Sequence, residues 1–367
     1  MTLRVGLFGA AWNGFAHLPA WRALQGIEVS AVCTSREETA RAAADRLGIA
    51  RSFWDAEAFV ADPDIDIIDF GTWPSVRLPL IITALEAGKH IYNACPHAPH
   101  WAGAKAIDNA WRRDTSATAI DAFAQHLPAH RQMKALLESG YIGQPFVGTA
   151  HFNLSLFNAP NKAFPYNWFA EPQAGVSAVR NNGSHLLYLL QHLFGEVAEL
   201  VADDRQLLKA WVFPDGDMVK PETNDFAAVT LRYACGLLLQ LQASWAMPVQ
   251  EGWRVDITGA KGRLVATSLT FPTARDCLLH GGQIGGALEP MAIPDAHKSH
   301  PALALDWQAD IQPAFPMALS MHALVGATQG RGARAPDFTD GLEIERILEA
   351  IRVSSTERRW IALEEII

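Results

Sequence analysis

The sequence predicts an α/β protein: a doubly wound parallel sheet of Rossmann type in the first third, and a mostly antiparallel sheet after it. Three observations carry this. From Leu3 to Phe123 short apolar runs alternate with helical patterns, the rhythm of βαβ units. Leu3-Arg4-Val5-Gly6-Leu7-Phe8-Gly9 reads as a buried strand entering a tight turn, with a helix starting at Trp12. Beyond Gly140 the helical patterns thin out and β-type runs follow one another, as they do in antiparallel sheets.

Taken in order, Val5, Leu7 and Phe8 form the first strand, Gly9 ends it, and residues 12–24 form the first helix. Gly9, Ala11 and Gly14 spell G-x-A-x-x-G, a variant of the dinucleotide fingerprint in which amides at a helix start receive a pyrophosphate. Ala11 places a methyl where the backbone should approach the phosphates. Gly9, Ala11, Trp12, Asn13 and Gly14 are therefore cofactor candidates. Residues 27–33 are the second strand, and Thr34-Ser35-Arg36 follows it. An acidic residue near this point binds a ribose 2′-hydroxyl, whereas Arg accommodates a 2′-phosphate. Ser35 and Arg36 thus predict that NADP(H) is preferred over NAD(H). A helix over 37–47 is stopped by Gly48, and residues 65–70 are the third strand, leaving through Gly71-Thr72-Trp73-Pro74. A helix over 76–87 ends at Gly88, residues 90–92 are the fourth strand, and 119–123 a further one. Ligands of such sheets lie beyond the carboxyl ends of the strands, which adds Thr72, Trp73 and Asn93 to the cofactor candidates.

A helix over 128–139, capped by Gly140, precedes β-type runs at 146–152, 226–233, 237–245, 253–258 and 263–267. One helix, 182–193, interrupts them, a last helix covers 341–354, and the Gly/Pro-rich stretch 281–301 reads as a loop. The predicted domains are 1–122 for the dinucleotide and 123–367 for substrate, with a terminal segment packing back on the first.

With 367 residues the chain has length for two domains. A formal charge of −9 and the absence of any Lys/Arg block exclude a nucleic-acid surface. Cys33, Cys95, Cys235 and Cys277 lack C-x-x-C spacing; they read as reduced thiols rather than a disulfide framework or metal site. The first strand starts at about Leu3, leaving no room for a signal peptide, and no apolar run reaches the ~20 residues of a membrane span. These features predict a cytoplasmic protein with a small-molecule substrate and no membrane partner.

Further segments carry a resemblance. They are Ala84-Leu85-Glu86-Ala87-Gly88-Lys89-His90-Ile91-Tyr92, Tyr141-Ile142-Gly143-Gln144-Pro145, Asn182-Gly183-Ser184-His185-Leu186-Leu187, Ser244-Trp245, Gly259-Ala260-Lys261-Gly262 and Arg358-Arg359-Trp360. In this order the chain resembles the Gfo/Idh/MocA oxidoreductases over nearly its whole length. The resemblance implies an N-terminal dinucleotide domain and a C-terminal α/β domain whose large open sheet makes a homodimer or homotetramer. It also implies hydride transfer between a nicotinamide and a sugar, cyclitol or related polyol. Where the family has Glu-Lys-Pro, its lysine reaching the nicotinamide, this chain has Ala94-Cys95-Pro96. The family's aspartate before Gly-Ser-His is Asn181, with Arg180 beside it, and the aspartate after the histidine is Tyr188. His185 is kept.

Oxidising an alcohol requires a base near neutrality, so His185 is the catalytic candidate. Tyr188, one helical turn on, is a second proton carrier. Asn181 and Arg180 would position substrate. Cys95 reads better as a small apolar filler than as an activated thiol, since no charged residue adjoins it; it nonetheless lies, with Ala94, where the cofactor and substrate meet. His97 and His100 precede a helix at Trp101; without a third ligand they do not make a catalytic zinc site, and His97 remains a substrate contact. His126, Tyr166 and Trp168 are further substrate candidates, the aromatic faces suiting sugar rings and equally a core. Three readings stay open: a dehydrogenase, a lyase or glycosidase working through transient oxidation with retained cofactor, and a non-catalytic dinucleotide-binding regulator.

Overall fold

The computed structural model describes residues 2–164, 167–309, 313–331 and 335–367. The chain divides into two compact units, Met1–Phe123 with Ser299–Leu342, and Ala124–Lys298 with Glu343–Ile367.

The first unit holds a six-stranded sheet: β1 Leu3–Phe8, β2 Ile27–Cys33, β3 Arg51–Phe53, β4 Ile67–Phe70, β5 His90–Asn93 and β6 Thr118–Ile120. Its order is β3-β2-β1-β4-β5-β6 with every pair parallel, the doubly wound dinucleotide arrangement. Val5, Leu7, Ile67, Ile68 and Phe70 are completely buried, as expected of parallel strands covered on both faces. The covering helices are α1 Leu18–Arg22, α2 Glu37–Leu47, α3 Ala56–Ala61, α4 Pro74–Glu86 and α5 Trp101–Ala110. Gly48 closes α2 in the left-handed conformation, which glycine enters without a Cβ penalty. His100 caps α5, its Nδ1 accepting the Gly103 amide at 3.0 Å.

The second unit is built on α6 Pro128–Glu138 and a nine-stranded sheet: β7 Pro145–Asn153, β8 Val197–Arg205, β11 Phe226–Tyr233, β12 Leu238–Ser244, β13 Gly252–Gly259, β14 Gly262–Ser268, β15 Leu278–Gln283, β16 Glu289–Pro290 and β17 Ile361–Ala362. The order is β16-β15-β14-β13-β7-β12-β11-β8-β17, and only β7 and β12 run parallel. A separate ribbon pairs β9 Trp211–Val212 with β10 Met218–Val219. Two further helices are α7 Ser184–Phe194 and α8 Asp295–Lys298. The return segment of the first unit contributes α9 Ala314–Ala327, and α10 Phe338–Glu357 crosses the boundary into the second.

Several local expectations change. The helix expected over 12–24 opens with a wide turn, Asn13–His17, in which the Leu18 amide reaches back to the Asn13 carbonyl. A second wide turn, Val179–Gly183, precedes α7 where the helix was expected to begin at 182. Such i→i+5 turns often mark functional sites because they re-aim side chains. The strand expected at 119–123 stops at Ile120, and Phe123–His126 forms a tight helical turn. The stretch 281–301 is not all loop, since β15 enters it and α8 lies within it.

Gly252 begins β13 with φ +71°, and a Cβ there would drive into the Ser268 carbonyl and the Leu269 backbone. Gly252→Ala should lower the unfolding free energy by at least about 2 kcal/mol, combining backbone strain with loss of close strand approach. Urea denaturation followed by tryptophan fluorescence checks this.

Candidate functional site

The turn after β1 is shaped by what surrounds it. Gly9 has φ +116° and donates its amide to Cys33 O at 3.0 Å. A Cβ on Gly9 would sit 3.0 Å from Thr72 Cγ2, and one on Gly14 3.0 Å from a Leu47 methyl, while one on Gly71 would collide with the Asn13 side chain. Ala11 is exposed, so its methyl disturbs no packing. Asn13 Oδ1, Thr72 Oγ1 and Asn93 Oδ1 are buried with no hydrogen-bond partner among the described residues. They follow β1, β4 and β5 or end them. Such orphaned acceptors beside the unpaired amides of a helix start fit a ligand that carries hydroxyls, a carboxamide and phosphates. Ser35 and Arg36 lie exposed beyond β2. The Arg36 carbonyl accepts from Thr39 Oγ1 at 2.9 Å, and its guanidinium pairs with no carboxylate among the described residues. Trp73 is partly exposed.

Beneath this turn lies a polar cluster that sequence reasoning missed. His17 is completely buried, as is Asp69 on β4; Asp121, just after β6, is 2% exposed. His17 Nδ1 lies 2.9 Å from Asp69 Oδ1, and Nε2 lies 3.0 Å from Asp121 Oδ2. Asp69 also accepts from Asn13 Nδ2 at 2.8 Å and Trp21 Nε1 at 2.7 Å. Asp121 accepts from Tyr92 Oη at 3.1 Å and Trp12 Nε1 at 3.3 Å. A neutral imidazole has one N–H, so two flanking carboxylates require the doubly protonated ring. Burial opposes that charge, but the carboxylates outweigh it and raise the His17 pKa to about 10. The wide turn lets Asn13 and His17 reach the same carboxylate. The available signal was an aspartate inside the apolar run Ile65–Phe70, which must find donors.

A second buried cation binds the exit loops. Arg77 is 1% exposed and donates to the carbonyls of Thr72, Ala94 (2.6 Å) and Pro96. It ties the loop after β4 to Ala94-Cys95-Pro96, whose Cys95–Pro96 bond is cis. Cys95 Sγ donates to Asp121 O at 3.4 Å. Asn93 Nδ2 donates to His97 O at 2.9 Å, and the His97 ring packs 4.7 Å from that of Phe338. The cofactor candidates after β1, β4 and β5 thus come together with Cys95 and His97.

In the second unit, Arg180, Asn181, His185 and Tyr188 share the wide turn and the start of α7. Arg180 Nη2 bonds the fully buried Glu345 at 2.6 Å, and Nε bonds Gly175 O at 3.1 Å. Asn182 Nδ2 donates to Ser244 O at 3.0 Å, fastening the turn to β12. Asn181 Oδ1 is buried without a partner among the described residues. The His185 ring meets Phe271 edge-on at 6.0 Å, and Tyr188 is buried. Trp168 packs on an aromatic cluster of Phe157, Phe169, Trp211 and Trp245, so much of its face is spent on the core. Tyr166 lies outside the described residues. His126 is kept neutral chiefly by burial, with the coulombic effects of the neighbouring His192 and Arg131 adding to it, its pKa pulled to about 3. Among the described residues no cluster could hold a metal ion, and no helix is long and apolar enough to cross a membrane.

A family model described as an oxidoreductase family with an NAD-binding Rossmann fold matches residues 3–120, and that of the GFO/IDH/MocA C-terminal domain matches 130–265. The chain belongs to the Gfo/Idh/MocA oxidoreductases. Among relatives of this Gfo/Idh/MocA chain is D-apiose dehydrogenase of Paraburkholderia graminis, 26% identical over 98% of this chain and 89% of that protein. Levoglucosan dehydrogenase of Pseudarthrobacter phenanthrenivorans is 25% identical, over 100% and 99%. A levoglucosan dehydrogenase structure in complex with NADH and L-sorbose superposes with TM-score 0.87 at 22% identity, covering all of both chains. The chain is thus an enzyme of nicotinamide-dependent oxidoreduction, built on the family's fold.

Two measurements test these geometries. Arg77→Met leaves buried carbonyls without a donor and should cost about 3 kcal/mol or more, read in calorimetry as a lowered midpoint for the transition that NADH raises. In the second unit His130 donates Nδ1–H to Ala124 O at 2.7 Å and accepts from Trp253 Nε1 at 3.1 Å. Burial is the main cause that lowers its pKa, and that of His192, to about 4. These histidines are neutral when folded and bind protons more readily unfolded, so their stabilisation is full above about 6.5. It should be lost as pH falls from there towards about 4, as urea midpoints across that window will report.

Proposed function

We propose that the chain is an NAD(P)-dependent dehydrogenase or reductase of a polyol-like or cyclic hydroxylated compound, a sugar, cyclitol or relative. The observation that carries this is the wide turn before α7, which presents a buried acceptor, Asn181 Oδ1, without a partner among the described residues, four residues ahead of His185. The D-apiose and levoglucosan dehydrogenases among its relatives support a carbohydrate-like substrate. Bound nicotinamide supplies the hydride acceptor or donor. His185 takes the hydroxyl proton during oxidation and returns it during reduction. Asn181 accepts a hydrogen bond from a substrate hydroxyl, and Arg180, committed to Glu345, holds the turn that presents it. Tyr188 is the second proton carrier, with His126 and Trp168 as further substrate contacts.

The Arg36 guanidinium, which pairs with no carboxylate among the described residues, stands beside Ser35 and supports a preference for NADP(H). The free thiols support a cytoplasmic protein. Phe146, Val147, Leu238 and Leu278, exposed on strands of the large sheet, support a homodimer or homotetramer through that sheet.

Incubation with NADP⁺ or NAD⁺ and a panel of sugars and inositols, following reduced-nicotinamide absorbance and product mass together, tests the activity. Stoichiometric reduced nucleotide is expected. Product without net reduction would reassign the enzyme to transient oxidation, and binding without turnover would make it a regulator. His185→Ala should lower kcat by roughly 100-fold or more with NADPH affinity unchanged. Arg36→Ala should weaken NADPH about tenfold, the loss of one charge-assisted phosphate contact, and NADH less than twofold; tighter binding of NADH than NADPH by the natural chain contradicts the preference.

A further inference from the structure

We propose that His17 is the positioning residue of the dinucleotide turn, clamping Asp69 and Asp121 so that the phosphate-binding segment and the Ala94-Cys95-Pro96 loop share one buried anchor. The inference rests on the dinucleotide reading of the turn and concerns how tightly that turn holds its ligand.

The geometry is particular. Each carboxylate receives donors from His17 and from the turn itself: Asn13 bonds Asp69, and Trp12 bonds Asp121. Asp121 works at both ends, its carboxylate facing His17, Trp12 and Tyr92 while its carbonyl accepts the Cys95 thiol. Three strands therefore bear on one imidazole, through Asp69 within β4, Tyr92 within β5 and Asp121 after β6. Of the helices packed on this segment, α1 carries Arg22, which is spent on the Leu47 and Gly48 carbonyls, and α9 brings no charge to it. Its one titratable residue, His322, lies against His300 at 4.7 Å instead. Trp12, Trp21 and Tyr92 fill the remaining space around the ring, the last edge-on at 5.3 Å. A cation so enclosed has no water to replace a lost carboxylate. Removing one partner must change its protonation or move the turn.

The test uses the full chain and NADH. Asp121→Asn keeps the shape of the side chain and an acceptor for Tyr92, while its amide can donate to Nε2 of a neutral His17. At pH 8 this variant should unfold cooperatively yet bind NADH at least tenfold more weakly. Lowering the pH to 6 should restore much of that affinity, because His17 facing a single carboxylate regains its proton there. The natural chain should show the same NADH affinity at pH 6 and pH 8. His17→Gln should be weak at both pH values, since it has no proton to regain. A purely structural role would lower the melting midpoint without creating this pH dependence. If Asp121→Asn fails to fold, Trp12→Phe removes one donor from Asp121, keeps an aromatic ring, and should weaken NADH about threefold with an unchanged midpoint. NADH binding within twofold of the natural chain by the folded variants overturns the proposal. No binding of NADH or NADPH by the natural chain would overturn the dinucleotide reading itself.

Discussion

A buried imidazolium between two carboxylates is the interaction on which the dinucleotide unit depends. Taking three charges out of water costs several kcal/mol per ion unless each is surrounded by donors or acceptors of the right kind. Here Asp69 and Asp121 each collect hydrogen bonds from three side chains, and both nitrogens of His17 are used. The elements that supply those groups cannot shift independently without leaving a buried charge exposed to nothing. The wide turn Asn13–His17 follows from this, because it brings two side chains of one segment onto Asp69. Gly71 follows as well, since any side chain there would occupy the space of Asn13.

The same unit shows how the family scaffold can be kept while its reactive end changes. Strand order, the Gly9 turn and the close approach of Gly14 to α2 are intact. The loop that carries Glu-Lys-Pro in the family now carries Ala94-Cys95-Pro96, and its positive charge is gone from the surface of that loop. Arg77 supplies a cation from behind, spent on three backbone carbonyls. It orders the loop and offers little to a reacting hydroxyl. In the second unit His185 is kept, and the neutral Asn181 stands before it in the wide turn.

Much of this was legible in the sequence. Parallel strands with apolar runs such as Ile65–Phe70, and glycines such as Gly48 and Gly88 that end helices, announce themselves through burial and backbone freedom. Arg51–Phe53 is too short to show a period, and the buried helix Ala314–Ala327 is apolar on all sides, so neither offers a stripe to read. The wide turns were hidden because local propensity favours a regular helix, and only tertiary bonds to Asp69 or Ser244 favour the wider geometry. The site was half visible. Gly9, Asn13 and His185 stand in recognisable patterns, whereas His17, Asp69 and Asp121 lie far apart in the chain and acquire meaning only when β1, β4, β5 and β6 are assembled in one sheet.

The charge on His17 is the centre of this account, and nitrogen NMR of the labelled full chain at pH 8 addresses it directly. Both ring nitrogens of His17 should carry protons, with the resonances of an imidazolium unchanged from pH 6 to pH 8. A single protonated nitrogen, or a titration near the ordinary histidine value of about 6.5, would contradict it.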